Sequence, residues 1–85
     1  MDWNEIRLIY PAQWLLVEAI KAKSEKGRRI LEDISVINSF PNAVAAMNDY
    51  RQIKFKTPHR ELFVLHTDRI NLDILERKWL GIRGI

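Results

Sequence analysis

The residues able to do chemistry are few, and the most suggestive group is His66-Thr67-Asp68, which sets an imidazole two positions from a carboxylate. Such a pair could orient a base beside a nucleophile, or supply two ligands to a cation. Neither set is completed. A zinc centre takes three or four ligands from His, Cys or carboxylates, with a supporting outer shell. The chain offers one other histidine, His59, no Cys, and no HxxxH or HExxH spacing. Ser24, Ser35 and Ser39 lie outside any G-x-S-x-G setting, the strand-to-helix elbow that exposes a nucleophilic serine. Glycines at 27, 81 and 84 build neither a phosphate loop nor a dinucleotide fingerprint. The expectation is a non-enzymatic chain with no catalytic, cofactor-binding or metal-binding residues, in which His66 is a polar tip on a sheet.

Binding chemistry is better represented. Lys21, Lys23, Lys26, Arg28 and Arg29 surround a single Glu25, and Arg51, Lys54, Lys56 and Arg60 have no acid among them. The net charge is +3, from 14 basic and 11 acidic residues. Residues 1–40 balance at six and six, so the excess lies in residues 41–85, with eight basic side chains against five acidic. A basic hairpin carrying the first cluster could lie along a nucleic-acid groove with its cations on phosphates. A solvated turn and a helix end that favours cations account for the same clusters without a ligand. The tip also lacks an aromatic residue for base stacking, and Glu25 lies in the turn. Nucleic-acid binding through Lys21, Lys23, Lys26, Arg28 and Arg29 is therefore the alternative reading.

The leading expectation comes from tryptophan. Trp3, Trp14 and Trp79 are a large aromatic load for 85 residues, and Trp is enriched where interfaces concentrate their binding energy. With Tyr10 they form the candidate interface, Trp3, Tyr10, Trp14 and Trp79. Within that set, Trp14 and Trp79 are expected in or near the core and Trp3 on an N-terminal arm, mobile or docked on a partner. The function expected is a protein-interaction or accessory module, working as a homodimer or on a larger protein.

Positioning these residues requires elements. Segment 13–23 is rich in helix formers, with apolar residues at 15, 16, 19 and 20 that fit a helix. Segment 29–37 carries Ile30, Ile34, Val36 and Ile37, a β-branched load that favours a strand needing a neighbour. Folding 13–23 back over the turn at 24–27 supplies that neighbour, with Gly27 at positive φ, and a long hairpin is the preferred reading. Residues 40–54 read as a helix with Ala43, Ala46, Met47, Tyr50 and Ile53 on one face and Ser39 as N-cap. Thr57-Pro58 forces an extended exit. Leu62-Phe63-Val64-Leu65 suits a strand buried on both faces, placed at the centre of the sheet. Residues 72–80 fit a short helix, by the spacing of Leu72, Leu75 and Trp79, or a strand with Leu72 and Ile74 on one face, and the strand is preferred because it would cover an exposed edge. The fold class is α+β: one antiparallel sheet, ββαβ(β), with the helix on one face, an arm over residues 1–10 and a loose tail over 81–85.

Composition agrees with one small domain, 1–85. At 47% hydrophobic and 29% charged residues the chain should build a core, though at this length a marginal one. The absence of Cys removes any disulfide staple. Acidic Asp2 and Glu5 replace the basic start of a signal peptide. Apolar runs such as Trp14-Leu15-Leu16-Val17 are far short of the about 20 residues that cross a bilayer. A cytoplasmic protein without membrane partners is expected.

The order of residues also resembles a group of short, uncharacterised bacterial proteins. The likeness is carried by Tyr10-Pro11-x-x-Trp14-x-Leu16-x-Glu18-Ala19, Ile34-Ser35-Val36-Ile37, Phe40, Ala46 and Tyr50. It continues through Pro58-x-Arg60-Glu61-Leu62-x-Val64-x-His66-Thr67 and Leu72-Asp73-Ile74-x-Glu76-Arg77-x-Trp79-x-Gly81-Ile82-Arg83-Gly84. It spans nearly the whole chain, its motifs are structural, and it implies a ββαβ-type arrangement with no activity.

Overall fold

The computed structural model describes residues 1–76; Trp79, the last part (77–80) of the strand expected over 72–80, and the tail at 81–85 lie outside the described residues. In chain order the elements are α1 (Trp3–Ile9), β1 (Trp14–Glu25), β2 (Arg28–Phe40), α2 (Ala43–Lys56), β3 (Leu62–His66) and β4 (Ile74–Leu75). The four strands form one antiparallel sheet in the order β3-β1-β2-β4. This is the expected α+β arrangement of hairpin, helix and following strands.

The hairpin forms because its two-residue turn suits the strands it joins. Lys26 and Gly27 both hold positive φ, 50° and 76°, the pattern whose twist matches that of the flanking strands. Register shifts at Leu16/Val17, Ala19/Lys21 and Lys21/Ala22 mark extra residues that coil so long a ribbon. The helix-forming composition of 13–23 is overridden because pairing with β2 on one side and β3 on the other satisfies its backbone.

Both faces of the sheet are covered. Leu15 and Val17 of β1, Ile34 of β2 and Leu65 of β3 form one buried cluster with Trp3 and Ile6 of α1. Leu16 alternates to the opposite face of β1, where it is buried, as are Leu62 and Ala46, beneath α2, which packs on β1 and β3. The arm expected over residues 1–10 is thus a core helix. Asp2 and Glu5 form a reciprocal capping box: the Glu5 N–H donates to Asp2 Oδ1 at 2.8 Å and the Asp2 N–H to Glu5 Oε1 at 3.0 Å. That closure nucleates a helix of one face, and Trp3 and Ile6 are the face it buries.

Two further expectations are corrected. β3 is an edge strand rather than the central one. Its apolar run reports that the helices cover both of its faces, which is a different property from having strands at both edges. The N-cap of α2 is Asn42, whose Oδ1 accepts from the Ala45 N–H at 2.9 Å. Ser39 cannot serve, because it and Phe40 are still paired to Leu15 and Trp14 in the hairpin. The expected final strand is present at Ile74–Leu75, where it covers β2 at Arg28 and Arg29.

Thr67 fastens the sheet end where β1 begins. It is the one buried polar side chain among the described residues, and its Oγ1 accepts from the Gln13 N–H while its own N–H donates to Gln13 O, both at 2.9 Å. Its carbonyl accepts from Arg7 Nε at 2.8 Å, tying α1 to the same point. Thr67→Val should keep the shape but strand the Gln13 N–H, costing about 1–3 kcal/mol. Urea midpoints would check this, with Thr67→Ser expected to retain most of the stability.

Candidate interaction surface

The four residues proposed for an interface divide. Trp3 is only 8% exposed and its Nε1–H donates to Arg69 O at 2.7 Å. It belongs to the core, as the indole's polar tip needs a partner once its rings are buried. Tyr10 packs half-buried against that core. Trp14 is also half-buried. It pairs across the strands with Phe40 on β2 and His66 on β3, and its ring meets the His66 imidazole edge-on, 5.0 Å between centroids at 81°. Of the two described Trp residues, then, the expected arm residue Trp3 is the core one, and Trp14 lines an open hollow with Ser39, Pro41 and His66.

His66 has a local partner. Its Nδ1 accepts from the Asp68 N–H at 3.0 Å and lies 3.7 Å from Asp68 Oδ2. The imidazole therefore braces the turn after β3, and its place beside Trp14 makes it a packed part of the sheet. Among the described residues, no group of three His, Cys, Asp or Glu could hold a metal ion, and no helix is long and apolar enough to cross a membrane.

Of the five cations proposed for nucleic-acid contact, three are paired to carboxylates. Arg28 bridges to Asp73, Lys23 reaches Glu25 at 3.6 Å, and Arg29 forks onto Glu61 through Nε at 2.7 Å and Nη2 at 2.8 Å. Ser24 joins this group, accepting from Arg29 Nη1 at 3.1 Å and donating to Glu76. Lys21 and Lys26 are exposed at the hairpin. The second cluster is also tied down in part, since Arg60 forks onto Glu18 at 2.7 and 3.1 Å and Lys54 donates to the Arg60 carbonyl. The planar guanidinium suits such two-point pairing.

These pairs set an acid limit on stability. The Arg60 hydrogen bonds lower the Glu18 pKa, those of Arg29 lower Glu61, and the Met1 ammonium, 2.6 Å away, lowers Asp33. Each folded value lies below its unfolded one, so the folded state binds fewer protons in that range. Their stabilisation is present above the ordinary carboxylate range and is lost as pH falls through the lowered values, so urea midpoints should drop below about pH 4. Glu61→Gln, which cannot titrate, should lower the midpoint near neutrality and flatten that fall. An unchanged acid limb in this variant would remove the Arg29–Glu61 pair as a cause.

Large apolar side chains without cover lie elsewhere. Phe55 is 88% exposed and Leu8 84%, and Val44, Ile70 and Leu75 are also well exposed. Val44 and Phe55 are eleven positions apart on α2, which brings them to one face of a helix, opposite the face carrying buried Ala46. Beside β3 an open groove of about 620 Å³ is lined in part by Phe63, Leu65, Ile74 and Leu75. The amphipathic spacing of α2 located its inner face; the outward Phe55 needed the reverse question, which apolar residues fall off that face.

The fold and surface define a small α+β domain with a helix on each face of an antiparallel sheet and uncovered apolar side chains on both helices. No protein family, curated protein or solved structure was found to match this chain.

Proposed function

We propose that the chain is a non-enzymatic protein-interaction module that works as a homodimer. The observation that carries this reading is the set of large apolar side chains left in water, with Phe55 at 88% and Leu8 at 84% exposure. In a domain whose described core holds nine buried hydrophobic residues, leaving so much apolar surface wet forgoes about 25 cal/mol for each Å² that a second protein could cover. Light scattering at micromolar concentration is expected to give twice the 10.1 kDa of one chain. A monomer at every concentration removes the homodimer.

The nucleic-acid alternative draws less support, because carboxylates already neutralise Lys23, Arg28 and Arg29. Binding that uses many phosphate contacts would fall steeply with salt. Duplex affinity that does so, and is lost in Lys21→Ala/Lys26→Ala, would restore it.

A further inference from the structure

We infer that the outer face of α2 is a second binding surface, one that takes single-stranded nucleic acid by stacking a base on Phe55. The inference goes beyond the homodimer reading, because one contact between two copies cannot cover every exposed apolar residue. Leu8 belongs to α1 and Phe55 to α2, and the two helices lie on opposite faces of the sheet. A two-fold contact is made by the same patch on each copy, so it leaves one of these residues in water.

The surface is built on α2 alone. Val44, Asn48, Arg51, Gln52 and Phe55 fall within about 60° of one line along the helix, and Lys56 flanks it. Phe55 is 88% exposed and Val44 70%, and the polar members are exposed as well. Among the described residues neither Arg51 nor Lys56 is paired to a carboxylate; Arg51 donates from Nη1 to Asn48 Oδ1 at 3.5 Å. Asp49, the acid of this helix, is half-buried and lies about 120° round from Phe55. The hairpin tip has no aromatic residue among its cations, whereas this second cluster holds Phe55 at its centre.

The order of side chains along that line selects the partner. Positions 44, 48, 51 and 55 have the spacing of a helix seam, yet the two central ones are Asn48 and Arg51. Covering them with an apolar helix, or with the acyl layer of a membrane, would bury an amide and a cation without partners. A bilayer surface also asks for a continuous apolar face. A nucleic-acid strand meets each group in kind: phosphates for Arg51 and Lys56, base edges for Asn48 and Gln52, and the face of a base for Phe55. The strand must be single, because a ring stacks only on a base freed from its neighbours. From Val44 to Phe55 the stripe runs about 16 Å, which fits a few nucleotides. The positive excess of the chain lies in residues 41–85, the half that contains α2.

Fluorescence anisotropy of the full chain with a labelled oligo(U) of about twelve nucleotides tests this. Phe55→Ala is expected to lower affinity about tenfold at every salt concentration, and Phe55→Trp, which keeps a stacking ring, to retain it. Arg51→Gln/Lys56→Gln should reduce the slope of log affinity against log salt by roughly 1.4, the share of two phosphates on a single strand. The same oligo(U) paired with oligo(A) should bind more weakly. If Phe55→Ala fails to fold by circular dichroism, Arg51→Gln/Lys56→Gln and the comparison of single strand with duplex decide. An oligonucleotide that does not bind, or that binds these variants as it binds the parent, overturns the inference and leaves the homodimer standing. Binding to vesicles of anionic phospholipid with none to oligo(U) overturns it in favour of a membrane surface. A dimer that Phe55→Ala turns into a monomer by light scattering overturns it too, since the second copy then occupies this face. A monomer that binds oligo(U) through Phe55 removes the homodimer and upholds the nucleic-acid surface.

Discussion

Trp3→Ala is expected to remove most of the stability of this protein. The indole is 8% exposed among Ile6, Leu15, Val17, Ile34 and Leu65, and removing so large a buried ring costs about 3–5 kcal/mol. A chain of 85 residues holds roughly 4–13 kcal/mol in total, so the variant should be largely unfolded on gentle warming or in low urea. Part of the loss is the bond from Nε1 to Arg69 O. Trp3→Phe isolates that share by keeping a ring and losing the donor, and it should cost much less. Chemical denaturation followed by circular dichroism measures both. A cost below about 1 kcal/mol for Trp3→Ala, typical of a surface site, would mean that residues 1–10 behave as the arm expected from the sequence.

Leu16→Ala addresses the opposite face of the sheet. Leu16 is fully buried outside the cluster containing Trp3, and the cavity left under α2 should cost about 2–5 kcal/mol. Its neighbours in sequence, Leu15 and Val17, point into the α1 core, so three successive residues are buried in two separate places. The helix that covers Leu16 provides the control, since Phe55 on the outer side of α2 is 88% exposed. Phe55→Ser should change folding stability by less than about 0.5 kcal/mol. If Leu16→Ala were as mild as Phe55→Ser, α2 would not be packed on that face. Calorimetric midpoints for the pair give the comparison directly, and because Leu16 and Trp3 share no partners their effects should add.

Much of the local structure was legible because it depends on near neighbours. Gly27 and the β-branched segment after it marked the hairpin turn, and Ala43, Ala46, Met47, Tyr50 and Ile53 marked the inner face of α2. The capping signature Asp2-x-x-Glu5 was also present and could have identified α1, but the helix is only seven residues long, too short to show an apolar period. The site was less legible. Arg29 and Arg60 read as members of basic clusters, whereas they are held by Glu61 and Glu18, 32 and 42 positions away.

From its own residues the chain determined its elements: a turn that only positive φ can make, strands of β-branched residues, caps, and a helix with one apolar face. Tertiary structure alone decided their relations. It made Trp3 a core residue, set a helix on each side of the sheet, matched arginines to distant carboxylates and left β3 at an edge. The physical reason is that side-chain spacing reports which faces are buried, while edge position depends on backbone N–H and C=O groups that nearly every residue carries alike. Which strand finds a neighbour for those groups is written in the fold and in no single segment.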